Sequence, residues 1–174
     1  MNPDELREEI AVELEALQST VEELLALQRD VAHREPTTRE KTAAAAFLAQ
    51  FYSGIENILK RISRFHDVPL PTGEMWHLDL FQRFCSPSHP GLPLLFDETL
   101  ASALAPFRRF RHVAFHSYGF QLDWSRMAEG VARVQDVFSQ IEASLSNYWE
   151  SIGAWGSRIS NAIPENRAAP DACT

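Results

Sequence analysis

Residues 37–65 read TTREKTAAAAFLAQFYSGIENILKRISRF. Ala44, Leu48, Phe51, Ile55, Ile58, Ile62 and Phe65 recur in steps that alternate four and three, the period of one helical face. Thr37 followed three places on by Glu40 is a capping-box pattern, in which hydroxyl and carboxylate satisfy free backbone donors of the first turn. Pro69, Pro71 and Gly73 end the segment in a turn. Upstream, Ile10, Leu14, Leu17, Val21, Leu24, Gln28 and Val31 repeat the same spacing between about Asp4 and His33, opposite a face rich in Glu, and Pro36 closes that segment. Downstream, EMWHLDLFQRF (74–84) predicts a short helix, and Ser86-Pro87-Ser88-His89-Pro90-Gly91 predicts a loop. A third long helix is expected from an N-cap at Asp97 to Tyr118-Gly119. Pro106 inside it predicts a kink or a restart near that residue. The last long helix is expected from Asp123 to Ile152, with Trp124, Met127, Val131, Val134, Phe138, Ile141, Leu145, Tyr148 and Ile152 as its stripe.

No strand-type alternation and no internal repeat interrupts this pattern. The expectation is an all-α fold, an antiparallel bundle of four long helices plus a short one, forming a single domain over residues 1–152. Residues 153–174, small and polar with prolines, read as a flexible tail. A coiled-coil rod is the alternative for the first segment, but its stripe stops after about four heptads.

Composition narrows the function classes. The chain has 174 residues, 45% of them hydrophobic and 23% charged, which is the balance of a soluble globular domain. No apolar run is long enough to span a bilayer, and the N-terminus lacks the features of a secretory signal. Two cysteines, Cys85 and Cys173, are too few for a disulfide framework, so a cytoplasmic protein with reduced thiols is expected. The net charge of −8 argues against a broadly basic nucleic-acid binder but leaves room for a local basic site.

Such a site stands out at residues 107–118, FRRFRHVAFHSY, with three arginines and two histidines. On a helix, Arg108, His112 and His116 share one stripe, while Phe110 and Ala114 face the core. Arg111 and His116, five residues apart, point about 140° away from each other. For both to act on one atom, either the helix unwinds near His116 or a second copy of the chain completes the site. Histidine can give or take a proton near neutral pH, and arginine offers a permanent planar charge that matches phosphate oxygens. Together they suit RNA cleavage, in which a ribose 2′-hydroxyl loses a proton, the leaving oxygen gains one and charge builds on the phosphate. The alternative is a solvated face paired with acids of the first helix. Val113 stands where a zinc-protease helix carries its Glu, and no third ligand is evident, so neither metal nor cofactor is expected. His33, His66, His77 and His89 read as structural or solvent-exposed. Trp76, Trp124, Trp149 and Trp155 read as core or interface fillers, and Cys85 as a small buried hydrophobe.

The stretch RFRHVAFHSYGFQLDW (109–124), with FYSGIENILKRI (51–62), resembles the HepT branch of the HEPN ribonuclease superfamily. Arg111, His116 and Tyr118 fit its Arg-x4-His-x-Tyr pattern in full, and the likeness spans roughly residues 40 to 150. The resemblance implies a metal-independent RNase toxin of a bacterial toxin–antitoxin pair, cutting tRNA or mRNA, with Arg111 and His116 as its catalytic core. His112 takes the polar position that is often Asn in the family, a supporting place. Tyr118 matches the tyrosine to which MNT-type nucleotidyltransferase antitoxins attach AMP, which silences the enzyme. Arg108 and Arg109 become candidate contacts to the RNA backbone. The family's usual state is a homodimer with facing motifs, and no membrane partner is implied. The competing class is a non-catalytic helical dimerisation or interaction module, a degenerate member of the same superfamily.

Overall fold

The computed structural model describes residues 2–116 and 121–162, and of residues 112–116 and 153–162 it describes the backbone alone. Five helices follow one another: α1 (Pro3–Asp30), α2 (Thr38–Phe65), α3 (Trp76–Gln82), α4 (Glu98–His116) and α5 (Trp124–Ala162). The all-α expectation holds.

Two capping boxes start the first two helices. Glu40 N donates to Thr37 Oγ1 at 3.3 Å while Thr37 N donates to Glu40 Oε2 at 2.7 Å. Asn2 and Glu5 make the same reciprocal pair in front of α1, where Pro3 occupies the first turn. Asp97 caps α4 as expected, its Oδ1 accepting from Leu100 N at 2.8 Å. The restart at Pro106 does not occur, and one helix runs through it. A proline costs one backbone donor, but Ala103, Leu104 and Phe107 on either side of it are buried and hold both halves against the core. α5 continues to Ala162, past the expected end near Ile152.

The four long helices form a ring. α1 packs on α2, α2 on α4, α4 on α5, and α5 closes back on α1, with α2 also touching α5 across the middle. Glu9 and Glu13 of α1 reach Arg61 of α2 while Leu17 faces Gly54, so these two helices run antiparallel. α4 and α5 do likewise: Phe110 meets Gly130, and the Leu95 carbonyl just before α4 meets Ser144. Every residue of the predicted α2 stripe except the half-buried Phe65 is buried, as is the predicted α5 stripe apart from its two ends, Trp124 and Ile152. Among the described residues the backbone of α3 lies against α2, and its side chains also reach α4.

α2 is central because it is buried on more than one stripe. Ala45, Ala49, Tyr52, Glu56, Leu59 and Ser63 also alternate four and three, and all six are buried. α3 helps to cover this second stripe, anchored by the buried Leu80 and Phe81. The connection before α3 is fastened by Arg83 Nη1, which donates to the Pro69 carbonyl at 2.6 Å. That packing traps a charged residue, Glu56, inside the protein.

Candidate functional site

Glu56 is 1% exposed. An isolated buried carboxylate is costly, so it needs partners, and two helices supply them. Its Oε1 lies 2.9 Å from His77 Nδ1 on α3, and its Oε2 lies 3.2 Å from Arg111 Nε on α4. The Arg111 contact is an ion pair without the alignment of a hydrogen bond. Arg111 Nη1 then lies 3.0 Å from His77 Nε2, which closes a triangle of three side chains from three helices.

The triangle fixes protonation. A guanidinium only donates hydrogen bonds, so His77 Nε2 must accept. His77 is therefore neutral, with its proton on Nδ1 donated to Glu56. Burial, then the positive charges of Arg111 and Lys60, push His77 down to about 4. Burial lifts the Glu56 carboxyl above its ordinary range, and Arg111 and Lys60 pull against that rise. The contact between Glu56 and His77 is thus a hydrogen bond to a neutral ring rather than a salt bridge.

Aromatic rings of α3 complete the setting. The Trp76 and His77 rings lie 3.4 Å apart between centroids. Arg111 Cζ sits 5.9 Å from the Trp76 ring and Lys60 Nζ 4.7 Å from it. Arg108 Cζ sits 5.4 Å over Phe81, so two arginines of α4 each meet one aromatic ring of α3.

Arg111 and Arg108 are half-buried and Arg109 is exposed. The backbone of His112 and His116 lies on α4, which ends at His116, but their side chains lie outside the described residues, and so does Tyr118 altogether. Among the described residues no acid of α1 forms an ion pair with this cluster, and Glu9 and Glu13 hold Arg61 at 3.0 and 2.7 Å. Arg111 is balanced from α2 instead, its neighbour in the ring of helices, in which α1 and α4 are not neighbours among the described residues.

Sequence reasoning passed over Glu56, His77 and Trp76. A scattered histidine and a presumed filler tryptophan turn out to be the immediate neighbours of Arg111. The signal was available for Glu56 alone, as the one charged member of a second four-three stripe on α2. For His77 no local pattern existed, since α3 is placed by tertiary packing. Chemically, the cluster presents a permanent cation held by Nε and Nη1, with Nη2 outside those contacts and the side chain 27% exposed. That arrangement suits an oxyanion such as a phosphate, whose oxygens can meet the donors of a guanidinium.

A family model described as HepT-like protein matches residues 43–152, which takes in most of α2, all of α3 and α4 and most of α5. No curated protein and no solved structure matches the chain.

Proposed function

The chain belongs to the HepT-like family of the HEPN ribonuclease superfamily, and on that premise we propose that it is the toxin of a bacterial toxin–antitoxin pair, an RNase that cuts tRNA or mRNA without a metal ion. In the proposed reaction the ribose 2′-hydroxyl attacks the neighbouring phosphorus and gives up its proton. The bond to the 5′-oxygen breaks, that oxygen takes a proton, and a 2′,3′-cyclic phosphate and a 5′-hydroxyl result. His116 is the proton carrier of this reading, Arg111 the cation that meets the charge building on the phosphate, and His112 its polar support. Arg108 and Arg109 contact the RNA backbone, and a second copy of the chain supplies the facing motif.

The observation that carries the proposal is the fixing of Arg111 by Glu56 and His77 within the family-matched segment. A guanidinium held in advance pays no reorganisation when charge develops, and removing one such donor costs about 10²–10³ in rate. The test is cleavage of RNA by purified protein in EDTA. Wild-type activity lost in His116→Ala supports the reading; equal activity in both proteins overturns it. Silencing is assigned to AMP attached at Tyr118 by a nucleotidyltransferase partner. Mass spectrometry of the peptide holding Tyr118 after co-expression tests this, and an unmodified peptide counts against it.

The same triangle favours one rival reading. A buried carboxylate needs a cation whatever the protein does, so Arg111 has a structural use even in a non-catalytic dimerisation module. Growth on induction separates the two: harmless overexpression of wild-type protein points to the module.

A further inference from the structure

A cavity of about 330 Å³ opens beside the triangle, lined by Lys60, Arg64, Leu70, Pro71, Trp76 and Leu80. Its volume is at the small end of ligand pockets, which run from roughly 300 to 1,000 Å³. His77 and Arg111 are not part of the lining, so Trp76 is a wall shared by the cavity and the triangle. The floor is apolar and aromatic, and the rim carries two cations.

Those cations differ from their neighbours. Arg61, next to Lys60, is committed to Glu9 and Glu13. Among the described residues neither Lys60 nor Arg64 forms an ion pair. Lys60 instead rests its ammonium against the Trp76 ring, and Arg64 is exposed. A π-face next to unpaired cations is the combination with which proteins hold single-stranded nucleic acid, bases stacking on the ring and phosphates on the cations.

We propose that this cavity is a nucleotide subsite for single-stranded RNA. A base takes the place of the Lys60 ammonium on Trp76, Leu70, Pro71 and Leu80 pack against its edge, and Lys60 and Arg64 turn to the phosphates. Because Trp76 also borders Arg111, a nucleotide seated here sets the next phosphate of the strand against the guanidinium. That last step rests on the ribonuclease reading; binding in the cavity does not.

The experiment uses the full chain and a fluorescein-labelled 2′-O-methyl hexaribonucleotide, which lacks the hydroxyl needed for cleavage. Anisotropy should show binding, and Trp76→Ala should weaken it roughly 5- to 150-fold, the worth of one stacked base. Trp76→Phe keeps a ring and should restore binding while losing part of the ligand-induced quenching of tryptophan fluorescence. Lys60→Gln with Arg64→Gln should flatten the plot of log K against log salt by about 1.4, for two phosphate contacts on a single strand. Unchanged affinity in Trp76→Ala overturns the proposal, as does absence of wild-type binding. If Trp76→Ala fails to fold by circular dichroism, an unchanged salt slope in the double variant and identical quenching in Trp76→Phe overturn it instead. A polyglutamate peptide of equal charge, bound as tightly and with the same dependence on residue 76, assigns the cavity to an acidic protein segment and also overturns it. Cleavage of natural RNA in EDTA is scored separately. Binding without cleavage leaves the subsite standing and removes the ribonuclease, whereas cleavage indifferent to Trp76→Ala does the reverse.

Discussion

At the scale of residues, Glu56 decides how Arg111 can be used. Arg111→Ala leaves a buried carboxylate unpaired, and breaking such a pair typically costs about 3–5 kcal/mol. Arg111 is 27% exposed, so the lower end, about 3 kcal/mol at pH 7, is expected from urea unfolding. Glu56→Gln added to Arg111→Ala removes the stranded charge and should recover more than half of that loss. Ribonuclease activity should stay absent in the double variant, which separates the structural use of Arg111 from the catalytic one; restored cleavage would sink the catalytic assignment. His77 gives a second, pH-dependent test. Its folded pKa of about 4 lies below the ordinary 6.5, so between these values the unfolded chain binds the extra proton and stability falls as pH falls. From pH 7 to pH 5 this one group removes about 2 kcal/mol. Glu56, with its pKa raised, acts in the opposite sense, adding stability as pH drops toward 4.5. The clean readout is therefore the difference between wild type and His77→Gln, whose unfolding free energy should fall by about 2 kcal/mol less over that interval; equal slopes would contradict a neutral, proton-poor His77.

At the scale of elements, the α1–α2 crossing is set by Gly54. A methyl group there would lie 2.7 Å from Leu17 Cδ2, and Leu17 is itself 2% exposed with little room to turn. Alanine gains about 1 kcal/mol of helix propensity over glycine, but overpacking a core costs about 1–3 kcal/mol. Gly54→Ala should therefore destabilise the protein modestly, and in a Leu17→Ala background the same change should stabilise it by about 1 kcal/mol. Thermal melts of the four proteins in this cycle measure the reversal; additive effects would mean that the two side chains do not meet. The elements themselves were largely legible in the sequence, because four-three stripes and capping boxes are local. α1, α2 and α5 could be placed from Ile10 to Val31, from Ala44 to Ile62 and from Met127 to Tyr148 without knowing any neighbour. What stayed hidden is what α3 does. Seven residues long and lying against α2, it turns His77 and Trp76 toward Arg111 of α4 through contacts distant in sequence, and no periodicity records them. Arg111 stands out by motif spacing, but its partner Glu56 sits 55 positions earlier, as the one charge in a second stripe of α2 that only the packing shows to be buried. At Pro106 the helix does not restart, for the related reason that burial of Leu104 and Phe107 overrides a local rule.

At the scale of the molecule, the match to the family begins at residue 43 and leaves out all of α1, yet α1 is built into the core. Leu6, Ile10, Leu17, Val21 and Leu24 are each 2% exposed or less. Burying an aliphatic side chain is worth about 1.5–3 kcal/mol, so five of them contribute roughly 7–15 kcal/mol, as much as the whole net stability of an ordinary domain. α1 also holds the other side of the bundle electrostatically, since Glu9 and Glu13 neutralise Arg61 one residue from Lys60. An acidic helix of this composition could have been a detachable adaptor, able to bind a partner while the remainder stays folded. The packing argues otherwise: with α1 gone, the faces of α2 and α5 that it covers are laid open to water. A variant beginning at Thr37 should lose its cooperative thermal transition and bind the dye ANS, and it should no longer bind the RNA oligonucleotide, because α2 carries Glu56 and Lys60 and cannot hold them in place once its opposite stripe is exposed. A cooperative transition close to that of the full chain would instead mark α1 as an appendage and the family-matched segment as sufficient for the site.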